Sequence, residues 1–257
     1  MPFQSQTIDI NGSKLAFQRG GKGEPLLFLH GTEGLSQRPQ FLDDLTAKYD
    51  VIAPDHPGYG QSPTPEWMDD VSDLAYTYLD LMKALGLHAA HVVGHSLGGW
   101  IALEMAVRSQ ERIGDLTLLA PAGIHVKGQQ KTDIFMIDPD EQARLAYADD
   151  KLGAAAAEEA NAVKYQDIAI RERIASARFG WRPRFYNPRL GRWLHRIEVP
   201  TLLIWGDSDR IFPPTYGPAF QALIPGAELV TLKNCGHLPH VEMRVETLAA
   251  MQTFMAR

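Results

Sequence analysis

The chain has 257 residues, 45% of them hydrophobic and 22% charged, with one Cys and a formal net charge of −6. At about 150 residues per domain this is one large domain or one domain carrying an insertion. A lone Cys235 excludes an internal disulfide scaffold, and no apolar run approaches the ~18 residues of a membrane span. Residues 1–6 lack the basic start and apolar stretch of a signal peptide, and the acidic balance excludes a general phosphate-binding face. Composition therefore predicts a cytoplasmic globular protein that engages neither nucleic acid nor membrane.

Taken in chain order, residues 7–10 and 15–17 read as strands around Asn11-Gly12, a dipeptide suited to a tight hairpin. Gly20-Gly21-Lys22-Gly23 reads as a second turn, because it lacks the spacing and the hydroxyl residue of a phosphate loop. Pro25-Leu26-Leu27-Phe28-Leu29 is a continuous apolar run, as in a strand buried on both faces, and Val51-Ile52-Ala53 is a second. Residues 71–85 place Leu74, Tyr78, Leu81 and Leu85 on one helical face, with Ser72 and Asp73 near the start. A strand over 89–93, a helix over 97–108 and a strand over 116–120 follow. Strands alternating with helices predict a mainly parallel sheet covered on both sides. The alternation stops after Gly123. Residues 124–195 hold helical stretches at 141–148 and 154–178 but no apolar strand, and predict an insertion. A strand over 201–205, a helix over 216–223, a strand over 228–232 and a helix over 245–255 complete the chain.

Gly94-His95-Ser96-Leu97-Gly98 matches G-x-S-x-G directly between a predicted strand and a predicted helix. Such an elbow needs Gly two before and two after the Ser, because the sharp turn leaves no room for side chains. It lifts the Ser96 hydroxyl above the sheet edge and aims the N-terminus of the helix at a developing anion. A serine nucleophile needs a base and a group that orients the base. Gly206-Asp207-Ser208-Asp209-Arg210 follows the 201–205 strand, and Asn234-Cys235-Gly236-His237 follows the last strand. The order Ser, Asp, His is the one this elbow carries. The spacing does not rank Asp207 against Asp209. His30-Gly31-Thr32 follows the buried 25–29 strand, where a backbone N–H from Thr32 would complete an oxyanion hole with that of Leu97.

Together with Asp55-His56-Pro57-Gly58-Tyr59-Gly60-Gln61-Ser62, these motifs resemble the α/β-hydrolase fold family over essentially the whole chain. The resemblance implies an α/β fold with a mostly parallel sheet of about eight strands flanked by helices. Residues 1–123 and 196–257 would form the core and 124–195 a helical cap. It selects Asp209 as the acid, three residues after the Gly that ends its strand, and gives the 55–62 segment a loop-shaping role. It also implies a cofactor-free hydrolase of small-molecule esters with the triad Ser96, His237 and Asp209. Asn187-Pro188-Arg189-Leu190 resembles the cap exit of meta-cleavage-product hydrolases, which cut carbon–carbon bonds. Those enzymes carry Asn before the nucleophile and Trp after the catalytic His, where this chain has His95 and Leu238. Carboxylester cleavage is therefore the leading expectation, carbon–carbon hydrolysis the alternative, and a slow-turnover ligand receptor of the same fold the third.

Six arginines between 178 and 196 interleave with Phe179, Trp181, Phe185, Tyr186 and Trp193. They read either as a solvated face or as a cap edge that recruits substrate, with Trp181, Arg182, Phe185 and Leu238 as candidate pocket residues. The histidine sets 88/91/95 and 237/240 lack a completing ligand and predict no metal. Glu33 reads as a solvated loop charge and Cys235 as a small packing residue. The patterns do not distinguish monomer from homodimer.

Overall fold

A computed structural model describes residues 2–35, 40–160 and 166–256. β1 (Gln4–Ile10) and β2 (Ser13–Gly21) form an antiparallel hairpin whose turn residues Asn11 and Gly12 take φ of 51° and 80°. β3 (Glu24–Leu29), β4 (Tyr49–Pro54), β5 (Ala90–His95), β6 (Ile113–Leu119), β7 (Thr201–Gly206) and β8 (Glu228–Leu232) follow. The eight-stranded sheet has the order β1-β2-β4-β3-β5-β6-β7-β8, parallel from β4 to β8 with β2 antiparallel to β4. The chain steps from β3 outward to β4 and then back to β5 on the other side. The carboxyl ends of β3 and β5 therefore flank the switch point where open α/β sheets form a crevice.

Helices cover both faces. α2 (Val71–Ala84), α3 (Leu97–Arg108) and α7 (Tyr216–Leu223) pack on one side, where Leu74, Tyr78, Ile101 and Phe220 meet Leu27, Leu29 and Val92. α1 (Gln40–Leu45) and α9 (Arg244–Met255) pack on the other, where Phe41, Leu42, Met251 and Phe254 meet Leu26, Phe28 and Val93. Successive residues of one strand thus feed opposite cores, which is why the runs read as continuous rather than alternating. The eightfold, mostly parallel α/β sheet is as the sequence implies. Among the described residues no helix is long and apolar enough to cross a membrane.

Local chemistry shifts several boundaries. Asp70, rather than Ser72, caps α2: its carboxylate accepts from Ser72 N and Asp73 N while Asp73 returns a bond to the cap. The turn after β2 is only Lys22-Gly23, since Gly20 and Gly21 still pair with β4. α1 and the short α8 (Pro239–Glu242) escape periodicity because they are too brief to repeat it.

Between β6 and β7 lie α4 (Pro139–Leu145), α5 (Asp150–Ala160) and α6 (Gln166–Gly180). α4 starts two residues earlier than its apolar pattern suggests, because Asp138 caps it through Glu141 N and Pro139 fits its first turn. The predicted 154–178 helix is two helices, and residues 161–165 lie outside the described residues. The inserted segment shares the main core through Ile134, Ala175, Phe179 and Phe185. Its return is held at Asn187, whose Nδ2 donates to Glu104 Oε1 at 2.8 Å. Buried Glu104 also accepts from Trp100 Nε1 at 3.0 Å and pairs with Arg108. On α6, Ser176 bonds the Tyr59 hydroxyl at 2.6 Å and Arg178 donates to the carbonyls of Met68 and Glu66.

The same seam holds a buried carboxyl, that of Glu172. Glu172 is 6% exposed, and its Oε1, facing Gly34, is buried without a partner. Burial, with the charges of Glu33 and Asp55, pushes it up to about 8. Glu104→Ala, which strands Arg108 and frees Asn187, should destabilise the fold by about 3 kcal/mol in urea denaturation. Glu172 binds a proton in the folded state that the unfolded chain has released above the ordinary ~4.3. Its presence therefore lowers stability progressively from that value up to about 8. Glu172→Gln should accordingly come within about 1 kcal/mol of the parent near pH 5 and exceed it by about 4 kcal/mol near pH 8, read from denaturation at both values.

Candidate active site

Ser96 sits at the junction of β5 and α3 with φ 48° and ψ −108°, a conformation that L residues avoid. Its neighbours hold it there. Ser96 N donates to Leu119 O, and Ser96 O accepts from Trp100 N and Ala122 N, each at 3.0 Å. A Cβ on Gly94 would stand 2.5 Å from Gly98 O, and one on Gly98 would stand 2.0 Å from Leu29 O. Both glycines are therefore required by contact with backbone that cannot move aside.

The other predicted residues converge on this turn. His237 Nε2 lies 2.9 Å from Ser96 Oγ, and His237 Nδ1 lies 2.8 Å from Asp209 Oδ2. Asp209 Oδ1 accepts from Ile211 N at 2.8 Å and Phe212 N at 2.9 Å, so the carboxylate is fixed at both ends. Asp207 instead accepts from Asn234 N and Ser208 Oγ, tying its loop to the one that carries His237. Geometry thus ranks the two aspartates that spacing left level. Leu97 opens α3 directly after Ser96, and Thr32 lines the same cavity as Ser96. Beneath Thr32, buried His30 and His56 bond each other, and His56 reaches the Tyr78 hydroxyl. The 55–62 segment closes on itself through Asp55 to Gln61 N and through Ser62 to Gly58 N, in keeping with a loop-shaping role.

A cavity of about 450 Å³ opens over Ser96 and His237, walled by Ile134, Phe135, Phe185, Phe212 and Leu238 among others. Phe185 and Leu238 line it as expected. Trp181 and Arg182 do not: α6 ends at Gly180, and the following turn carries both outward. Trp181 packs on the outer side of Phe135 beneath Arg184, whose guanidinium lies 3.5 Å from its ring centroid. Arg184 also pairs with Asp133 and Arg178 with backbone carbonyls, which gives much of the basic stretch a structural use.

Four residues of the site gave no sequence signal. Arg173 lines the cavity while donating to the carbonyls of Ile134 and Ile137. Glu242 accepts from Gly236 N, Ala148 N and Asp149 N, so it binds the His237 loop to the turn before α5. Glu172 lines the cavity from α6. His240 is buried 4.6 Å from the His95 ring, with Nδ1 unpartnered. Burial and the charge of His95 push His240 down to about 3. Glu33, expected to be a solvated loop charge, is exposed and also accepts from His95 Nδ1 at 2.8 Å and Gly31 N at 3.0 Å. Glu33, His95 and His240 bring three donor atoms within 4.8 Å, but the first two already satisfy each other as an acid–imidazole pair. Burial pushes the Cys235 thiol up to about 12, as suits a packing residue.

The sequence matches the alpha/beta hydrolase family over residues 26–251. Lipase 3 of Moraxella sp. (strain TA144) is 27% identical, over 95% of this chain and 82% of the relative. The 2-hydroxy-6-oxo-6-phenylhexa-2,4-dienoate hydrolase of Burkholderia cepacia is 29% identical, over 89% and 86% respectively. The crystal structure of a membrane phospholipase A described as a bacterial virulence factor superposes with a TM-score of 0.83. It is 25% identical, over 99% of this chain and 86% of that one. An elbow between β5 and α3, a sheet of this order and a match over most of the length make the chain a member of the alpha/beta hydrolase family, and a hydrolase.

Proposed function

We propose that the protein is a serine hydrolase that cleaves uncharged carboxylic esters of small to medium size through an acyl-enzyme. The observation that carries this reading is the chain Ser96 Oγ, His237 and Asp209, at 2.9 and 2.8 Å, on the floor of the cavity. Ser96 Oγ attacks the ester carbonyl while His237 Nε2 takes its proton and then passes it to the leaving alkoxide. Asp209, anchored by two backbone amides, keeps the His237 Nδ1 proton in place and stabilises the imidazolium. The N–H groups of Thr32 and Leu97 receive the oxyanion, each donor contributing about 3 kcal/mol. Water activated by His237 then releases the acid. The inserted segment at 124–195 acts as a cap that walls the cavity and selects substrate.

The lining of the cavity favours an ester over a vinylogous diketone acid. The carboxyl groups of Glu33, Glu159 and Glu172 line it, with Glu33 paired to His95 and Glu172 protonated near neutral pH, and the guanidinium of Arg173 is committed to two carbonyls. Support for the carbon–carbon alternative comes from the Burkholderia cepacia relative and from Lys131. That ammonium lies 5.3 Å from the Phe212 ring centroid, and burial lowers it to about 8. In that reading Lys131 would grip the substrate carboxylate.

Ser96→Ala should lower p-nitrophenyl butyrate turnover by at least about 10⁴-fold with unchanged circular dichroism, and retained turnover would overturn the assignment. Asp209→Asn should lose about 10³–10⁴-fold in kcat and Asp207→Asn less than about tenfold, the reverse order reassigning the acid. In a panel of esters with a ring-cleavage dienol acid included, esters should have the higher kcat/KM. A dienol acid turned over faster, with a loss on Lys131→Ala, would establish the alternative.

A further inference from the structure

The residue before the elbow serine is a histidine with both ring nitrogens engaged. His95 Nδ1 lies 2.8 Å from Glu33 Oε1, and His95 Nε2 lies 2.9 Å from the backbone carbonyl of His237. We propose that Glu33 and His95 form a second acid–histidine pair whose doubly protonated ring positions His237 by gripping its carbonyl. The proposal rests on the serine-hydrolase reading for its effect on rate, but the state of the ring is a separate fact. A carboxylate and a carbonyl only accept hydrogen bonds, so both contacts are bonds only when both nitrogens of His95 carry hydrogen. A neutral ring must turn a lone pair toward one of these oxygens.

The pair joins three loops. Glu33 also receives Gly31 N–H, so the loop after β3 and the elbow are clamped together, and His95 extends the clamp to the loop after β8. His95 has no exposed side-chain surface, while the Glu33 carboxylate is 40% exposed, so water reaches the acid but not the imidazole. Burial alone would lower the imidazole, but the charge and hydrogen bond of Glu33 outweigh it and hold His95 above its ordinary value. Burial would likewise raise Glu33, and the charge and hydrogen bond of His95 hold it below the usual carboxylate range. Facing His95 are His237 from the loop after β8, His240 from α8, Asp209 from the loop after β7 and His30 from the end of β3. Facing Glu33 are Glu172 from α6, Tyr147 from the turn after α4, and His56 and Tyr59 from the loop after β4. Burial keeps His240 and His56 low and Glu172 and Tyr59 high, so none of these four carries a charge near neutral pH.

Because the folded value of His95 is raised, the clamp is complete at and below its ordinary ~6.5 and is lost as pH rises through the raised value. Losing it loosens the base without altering the cavity walls, so kcat should fall while KM holds. The experiment is kcat and KM for p-nitrophenyl butyrate from pH 6 to 10, with nitrogen-15 NMR of the His95 ring. The parent should show an alkaline fall in kcat. Glu33→Gln should reduce kcat about tenfold near pH 8, keep KM within about twofold, and move the fall to lower pH by about one unit or more. His95→Gln, which retains one non-titrating donor, should recover most of the loss seen in His95→Ala and lack the alkaline fall. An alkaline limb shared by parent and Glu33→Gln, or a loss confined to KM, would overturn the proposal. In NMR, both ring nitrogens of His95 should be protonated at pH 7 in the parent and in Ser96→Ala, and a singly protonated ring would overturn it irrespective of any variant. If Ser96→Ala kept its turnover, the hydrolase mechanism would fail while the ring signals still decided the state of the pair.

Discussion

The close approach of α3 to the carboxyl end of β3 is the constraint on which the site depends. Gly98 lies so near Leu29 O that a single methyl cannot be admitted, and Gly94 is barred from one by Gly98 O. The chain can pass between these contacts only by holding Ser96 at positive φ, a local strain of about 1–3 kcal/mol that the bonds to Leu119, Trp100 and Ala122 offset. Thr32, on the loop after β3, lines the same cavity as Ser96, and Leu97 opens α3 directly after Ser96. Backbone packing of this kind fixes where the Ser96 hydroxyl, the proposed nucleophile, sits.

Around that fixed point the remaining groups are held by carboxylates. Asp209 anchors its own loop through two amides, Asp207 ties that loop to Asn234, and Glu242 ties the His237 loop to the inserted segment. The two amides that Asp209 accepts from are buried and would otherwise be unsatisfied, which is a larger penalty than the bonds' net strength, while those of Asp207 and Glu242 are exposed or half-buried. The site is therefore a set of short loops, each stiffened by an acid from its own or a neighbouring loop.

The β3, β5 and β7 strands were legible because burial on both faces writes a continuous apolar run. The elbow was legible because two glycines at fixed spacing flank the serine, Gly94 answering to Gly98 O and Gly98 to Leu29 O. Asp209 was only partly so, since what separates it from Asp207 is which carboxylate reaches His237, twenty-eight residues on. Glu33 and Glu172 gave no signal: their environments are set by His95 and by loops contacted from more than sixty residues away. The arginine-rich stretch read either as a solvated face or as a substrate edge; Arg178 and Arg184 hold loops and rings, and Trp181 and Arg182 face outward. Composition identifies a basic aromatic segment; only packing tells which way it points.

The backbone N–H of His237 is not bonded within its own loop. It donates to Ala146 O at 2.7 Å, at the end of α4, and Glu242 grips Ala148 and Asp149 just beyond. The wall of the cavity and the proposed base thus share one fastening. Displacing α4 to admit a bulky molecule draws directly on the peptide that carries the imidazole, so that an oversized guest can enter only by misaligning the group that would act on it. Size selection in such an arrangement operates on rate as well as on occupancy.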